Sequence, residues 1–164
     1  MSDTPLRIVV DTNVWIDSYC PEHIGSPAAR HVLAAATAHG AQLFYPVHAA
    51  KDIAFVIRHE HLRAARRECG EIDEATARAI RELSWACLRA INEIATAVGA
   101  DGSDLWLADK YLRIHPDLED NLVIAACHRI KANYLVTSDQ QLIAHADVAA
   151  KTPEQMLELL ALDW

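Results

Sequence analysis

Arg7-Ile8-Val9-Val10-Asp11-Thr12-Asn13-Val14-Trp15-Ile16-Asp17 is the stretch that decides the fold. Ile8, Val9 and Val10 are apolar and β-branched, and the run stops abruptly at an acid. A short apolar run bounded by polar residues predicts a buried strand of a parallel sheet, here with a helix behind it. In open α/β sheets the ligand site lies just beyond the carboxyl ends of the strands. Asp11 therefore belongs at the mouth of the sheet. Asp11 or Thr12 is also a good N-cap for the next helix, since its side-chain oxygen can accept a first-turn backbone N–H. Capping accounts for one acid; acids converging from distant parts of the chain need more.

Working outward, Ser26-Pro27 predicts a helix start and the alanine-rich segment to His39 its body, with Gly40 as the C-cap. Gln42 to Tyr45 reads as a second strand closed by Pro46. A long helix is expected from Val47 to Cys69, ended by Gly70. Asp73-Glu74-Ala75 opens another, with Ile80, Leu83, Ala86, Cys87, Ala90, Ile91 and Ile94 at helical spacing, broken by Gly99 and Gly102. Shorter helices follow over 105–115, stopped by Pro116, and over 117–131. Tyr134-Leu135-Val136-Thr137 is a third strand and again runs into an acid, Asp139. A weak fourth strand around 148–151 leads to Thr152-Pro153-Glu154, a compact helix start, and a last helix over 155–162. Strands separated by helices imply a mainly parallel sheet with helical crossovers, in a single domain spanning 1–164.

Asp11 and Asp139 each end a strand, so both reach the same edge of the sheet. Asp52 lies early in its helix beside Ala49 and Val56, at the border of the apolar face. Asp117 and Asp120 share a face at the start of theirs, and Asp120 is one turn before Ile124. Each has a local explanation as a cap or a helix-dipole partner. Together they place several carboxylates at one end of the sheet, where mutual repulsion is costly. A hard divalent cation with oxygen ligands relieves it.

These segments resemble the PIN-domain nucleases. Val9 to Asp17 is similar to the family's opening motif, Asp117 to Ala126 to its third acidic segment, and Leu135 to Leu142 to its fourth. Thr152-Pro153-Glu154 resembles the family's closing helix. The resemblance implies a three-layer α/β/α fold on a central sheet of four or five strands. It implies an Mg²⁺- or Mn²⁺-dependent endoribonuclease, of the kind found among VapC-like toxins, with RNA as substrate, a cognate antitoxin and a homodimeric state. The implied acidic set is Asp11, Asp52, Asp120 and Asp139, with Asp117 as a further metal ligand beside Asp11, Asp120 and Asp139. The family more often has a glutamate where Asp52 stands, and the helical stretch between Glu60 and His115 exceeds the compact toxin pattern.

Thr12, Asn13, Thr137 and Ser138 are expected to orient water or phosphate. Arg63, Arg66 and Arg67 are expected to position RNA, because 58–67 holds Arg58 and these three against Glu60 alone, a local charge of +3. By contrast, 101–120 carries six acids against Lys110 and Arg113. Fifteen Lys and Arg against 23 Asp and Glu give a net charge of −8, which argues against a surface that simply coats phosphates. Bound cations can reverse the sign of an acidic site, so a nuclease survives that objection.

The five glycines are isolated, which excludes a glycine-rich phosphate loop. His59 and His61 point to different faces of their helix, so zinc is disfavoured and the nine histidines read as surface or core residues. Trp15, Trp85, Trp106 and Trp164 are expected to anchor packing, and Cys20, Cys69, Cys87 and Cys127 to be reduced core thiols. No apolar run approaches the roughly 18 residues of a membrane span, and Met1-Ser2-Asp3-Thr4-Pro5 lacks signal-peptide features, so a cytoplasmic protein is expected. The rival reading is a non-catalytic interaction module whose acids are caps.

Overall fold

A computed structural model describes residues 4–162; Met1, Ser2, Asp3, Asp163 and Trp164 lie outside the described residues. The elements run β1 (Arg7–Val10), α1 (Thr12–Tyr19), α2 (Ser26–Ala38), β2 (Gln42–Pro46), α3 (Ala49–Cys69), α4 (Glu74–Ile94) and β3 (Ala95–Val98). They continue with α5 (Gly102–Tyr111), α6 (Leu118–Ile130), β4 (Tyr134–Val136), α7 (Gln140–His145), β5 (Ala150–Lys151) and α8 (Pro153–Leu162). The strands form one parallel sheet in the order β3-β2-β1-β4-β5. The chain thus winds outward from β1 in one direction, then returns to lay β4 and β5 on its other side. That reversal between β1 and β4 is the topological switch point, where such sheets open a crevice.

Side chains alternate across the pleat and build a core on each face. Ile8 and Val10 point into a cluster with Val14, Trp15, Leu43, Tyr45, Ile53, Ile57 and Ile91, beneath the helices α1 to α4 and α8. Val9 and Leu135 point the other way, onto Val123, Ile124 and Cys127 of α6 and Leu142 of α7. Trp15 is wholly buried; its Nε1 donates to the Val10 carbonyl at 3.1 Å, and it packs edge-on to Tyr45.

The helix boundaries follow from their end groups. Gly40 and Gly70 adopt φ of 71° and 79°, the left-handed region that lets a chain leave a helix. Thr152 and Gln155 bond reciprocally at 3.1 and 3.2 Å, a capping box that starts α8. One strand escaped the sequence pattern: the helix expected to run to Gly99 ends at Ile94, and β3 follows directly. Its residues, Ala95-Thr96-Ala97-Val98, alternate alanine with strand-favouring Thr and Val, too short a run to stand out in sequence, and pairing to β2 makes them a strand. Cys20, Cys87 and Cys127 are buried free thiols, whereas Cys69 is exposed at the end of α3. Trp85 and Trp106 are 60% and 62% exposed, so neither anchors the core.

Candidate functional site

Asp11 leaves β1 in extended conformation, with its N–H still bonded to the Val136 carbonyl of β4 at 2.9 Å. Its carboxylate is buried and accepts three hydrogen bonds. The Thr12 N–H donates to Oδ1 at 2.7 Å, while Asn13 Nδ2 and Thr137 Oγ1 donate to Oδ2 at 2.9 and 2.6 Å. Burial nevertheless dominates, and with the nearby charges of Asp120 and Glu119 it pushes Asp11 up to about 6 against the pull of those donors.

Thr137, also buried, follows β4 and knits the site. Its Oγ1 accepts the Asp139 N–H at 3.0 Å as well as donating to Asp11. Asn13 Oδ1 accepts the Ser138 N–H at 3.1 Å, so the ends of β1 and β4 are cross-braced in both directions. Thr12, Asn13 and Thr137 thereby orient acids directly, whereas Ser138 contributes its backbone.

Asp139 Oδ1 caps α7 through the N–H groups of Gln141 and Leu142. Asp117 Oδ1 caps α6 through Glu119 and Asp120. Asp120, in the first turn of α6, is half-buried; burial and the charges of Asp117 and Asp139 raise its pKa, while a 2.8 Å bond from His115 Nε2 opposes them. Asp120 therefore interacts electrostatically with both strand-end acids, Asp11 and Asp139, while Asp117 acts on Asp120 from the cap of their shared helix.

Two participants were not singled out by the sequence. Glu119 accepts a 3.3 Å hydrogen bond from Thr12 Oγ1 and is one of the charges acting on Asp11. His115 is buried, holds Asp120, gives its carbonyl to Asn121 Nδ2 and stacks on His145 with ring centroids 5.3 Å apart. Glu119 carried a signal, since it sits between Asp117 and Asp120; His115 carried none among nine histidines.

Asp52 is set apart. It faces Lys51 Nζ at 3.5 Å and, among the described residues, hydrogen-bonds none of these acids. It shares with Glu119 a groove of about 590 Å³ lined by Val47, His48, Lys51, Leu118 and Leu122. Further along α3, Arg63 pairs with Glu60 at 3.4 Å and Arg67 with Glu22, whereas Arg66 is exposed with no acidic partner among the described residues.

Among the described residues no three His, Cys, Asp or Glu side chains stand close enough to cage a metal ion. The donor set nonetheless fits a hard divalent cation chemically: it is all oxygen, and two of its acids are pushed up by burial and like charge. No helix among the described residues is long and apolar enough to cross a membrane.

The model of a PIN domain matches residues 7–141. No curated protein matches the sequence. Among solved structures, the VapC20 toxin of Mycobacterium tuberculosis, described as cleaving the sarcin-ricin loop, superposes with a TM-score of 0.55 at 16% identity. The match covers 84% of this chain and 93% of that one. With the family model spanning both strand-end acids and the acidic start of α6, the chain belongs to the PIN-domain family.

Proposed function

We propose that the protein is a metal-dependent endoribonuclease, the toxin of a toxin–antitoxin pair. The observation that carries this is Asp11: a buried carboxylate raised to about 6 at the topological switch point, with Asp120 and Glu119 adding to the repulsion. A site that holds acids together at such cost is prepared for a cation. Asp11, Asp120 and Asp139 would hold Mg²⁺ or Mn²⁺, with Asp117 beside them and Asp52 or Glu119 completing the set. Bound there, the ion supplies Lewis-acid stabilisation of the phosphate and a water acidic enough to react near neutrality.

The chain's own residues do the positioning. Thr137 and Asn13 fix both Oδ2 contacts of Asp11, and His115 fixes one oxygen of Asp120, the other accepting no hydrogen bond among the described residues. No histidine base is required. RNA as the substrate class draws on the family and on a fold shared with a sarcin-ricin loop cleaving toxin. A cognate antitoxin, a homodimer and a cytoplasmic location belong to the same proposal.

The decisive experiment incubates wild type and Asp11→Asn with mixed RNAs, with and without Mn²⁺, and maps the ends. The expected result is metal-dependent cleavage by wild type alone, leaving 5′-phosphate and 3′-hydroxyl ends. One observation favours the other reading, an interaction module: Asp11, Asp117 and Asp139 all cap helices. Unchanged metal binding in Asp11→Asn, with no cleavage by either protein, would establish that module instead.

A further inference from the structure

We infer that the exposed face of α3 is a single-stranded RNA track, on which Phe55 and His59 stack bases and Arg58 and Arg66 hold phosphates. The inference rests on the nuclease reading for where the strand leads, though not for the surface itself.

The face is written into the helix. Ala49, Ile53 and Ile57 are buried against the core. Lys51, Phe55, Arg58, His59, Leu62 and Arg66 recur in steps that place them on the opposite side, in a sector about 100° wide at 3.6 residues per turn. The acids of α3, Asp52, Glu60 and Glu68, all fall outside it. Phe55 is 59% exposed, and the His59 ring lies beside it with centroids 4.3 Å apart at 44°. A large apolar ring left in water between cations gains when a planar partner covers it, and every base offers a π-face.

Charge separates this face from its surroundings. Residues 49–94 hold eight basic and eight acidic side chains, and the remainder of the chain seven and fifteen. The net −8 therefore resides wholly outside the α3–α4 hairpin. Within α3, the two arginines off the sector, Arg63 and Arg67, are engaged by Glu60 and Glu22. The two on it, Arg58 and Arg66, meet no acid among the described residues. The track also leads somewhere: Lys51 and Glu119 line one groove, and Glu119 bonds Thr12 beside Asp11. From Lys51 to Arg66 the helix rises about 22 Å, room for several nucleotides.

The test measures binding of labelled oligouridine by full-length protein across a salt series, in the Asp11→Asn background or in EDTA-treated wild type, so that nothing is cleaved. Phe55→Ala should weaken binding at least about fivefold, the low end for one lost base stack, while Phe55→Trp retains it. Arg58→Gln with Arg66→Gln should lower the magnitude of the salt slope by about 1.4, at 0.7 per contact. Arg63→Gln with Arg67→Gln should lower it less.

An unchanged affinity and slope in the Phe55 and Arg58/Arg66 variants overturns the track, as does an equal effect from Arg63 and Arg67. Poly-glutamate that competes as well as RNA would make the face a dock for acidic protein and overturn it too. So would a Phe55→Ala variant that changes sedimentation instead of RNA binding, which marks self-association. If wild type cleaves no RNA yet these shifts appear, the nuclease reading falls and the track stands. Cleavage by wild type with a silent stripe gives the reverse.

Discussion

Thr137 Oγ1 donates to Asp11 Oδ2 across 2.6 Å, joining the end of β4 to the end of β1 inside the protein. The same oxygen accepts the Asp139 N–H, so one hydroxyl sets the orientation of two acids that are far apart in sequence. Thr137→Val preserves shape while removing both contacts. It should cost about 1–3 kcal/mol, since a buried carboxylate loses a donor and a backbone N–H loses its acceptor. Because the Thr137 bond holds the Asp11 pKa down, that value should climb above about 6 in the variant, as read by carboxyl NMR. An unchanged pKa with unchanged stability would mean the bond is not made in solution.

Asp11 also predicts how stability follows pH. Its folded pKa of about 6 lies above the ordinary 3.8, so folding favours the protonated acid. That contribution is complete below pH 3.8 and is lost as pH rises through about 6. The loss amounts to about 3 kcal/mol, from a shift of about two units. Asp120 is raised as well and adds in the same direction. Mg²⁺ or Mn²⁺ should restore the lost stability at pH 7.5, by about 2.7 kcal/mol at 100 times its dissociation constant, and much less at pH 5. Denaturant titrations at the two pH values, with and without metal, check this; a metal effect equal at both would disconnect it from Asp11.

The sequence exposed those features that rest on short-range pattern. β1, β2 and β4 are apolar runs ending in an acid or proline, and Gly40 and Gly70 mark helix ends through their positive φ. β3 was hidden because Ala95-Thr96-Ala97-Val98 continues the composition of α4, and only its pairing with β2 makes it a strand. The strand-end acids Asp11 and Asp139 could be placed from the strands alone. Asp52 could not, since helical spacing puts it beside the apolar face without saying which side of the molecule that face borders. The arginines show the same limit: their charge is visible in sequence, but the partners that engage Arg63 and Arg67 become visible only once α3 is folded.

Glu119 is linked to the buried acid through Thr12 and contributes to the charge that raises Asp11, whereas Asp52 pairs with its neighbour Lys51 on α3. The Thr12 Oγ1 bond to Glu119, 3.3 Å long, already holds this side chain beside the residue that follows Asp11, so it can add an oxygen to the set without moving α6. Asp52 would need both its own side chain and that of Lys51 to swing. Glu119→Gln should therefore reduce the metal-induced rise in Tm by half or more, and Asp52→Asn should reduce it less. Glu119→Gln should also lower the Asp11 pKa, because one repelling charge is gone, which a loss of folding would not do. If Asp52→Asn abolishes the metal response and Glu119→Gln leaves it intact, Asp52 is the acid that completes the cluster, and the groove closes when metal binds.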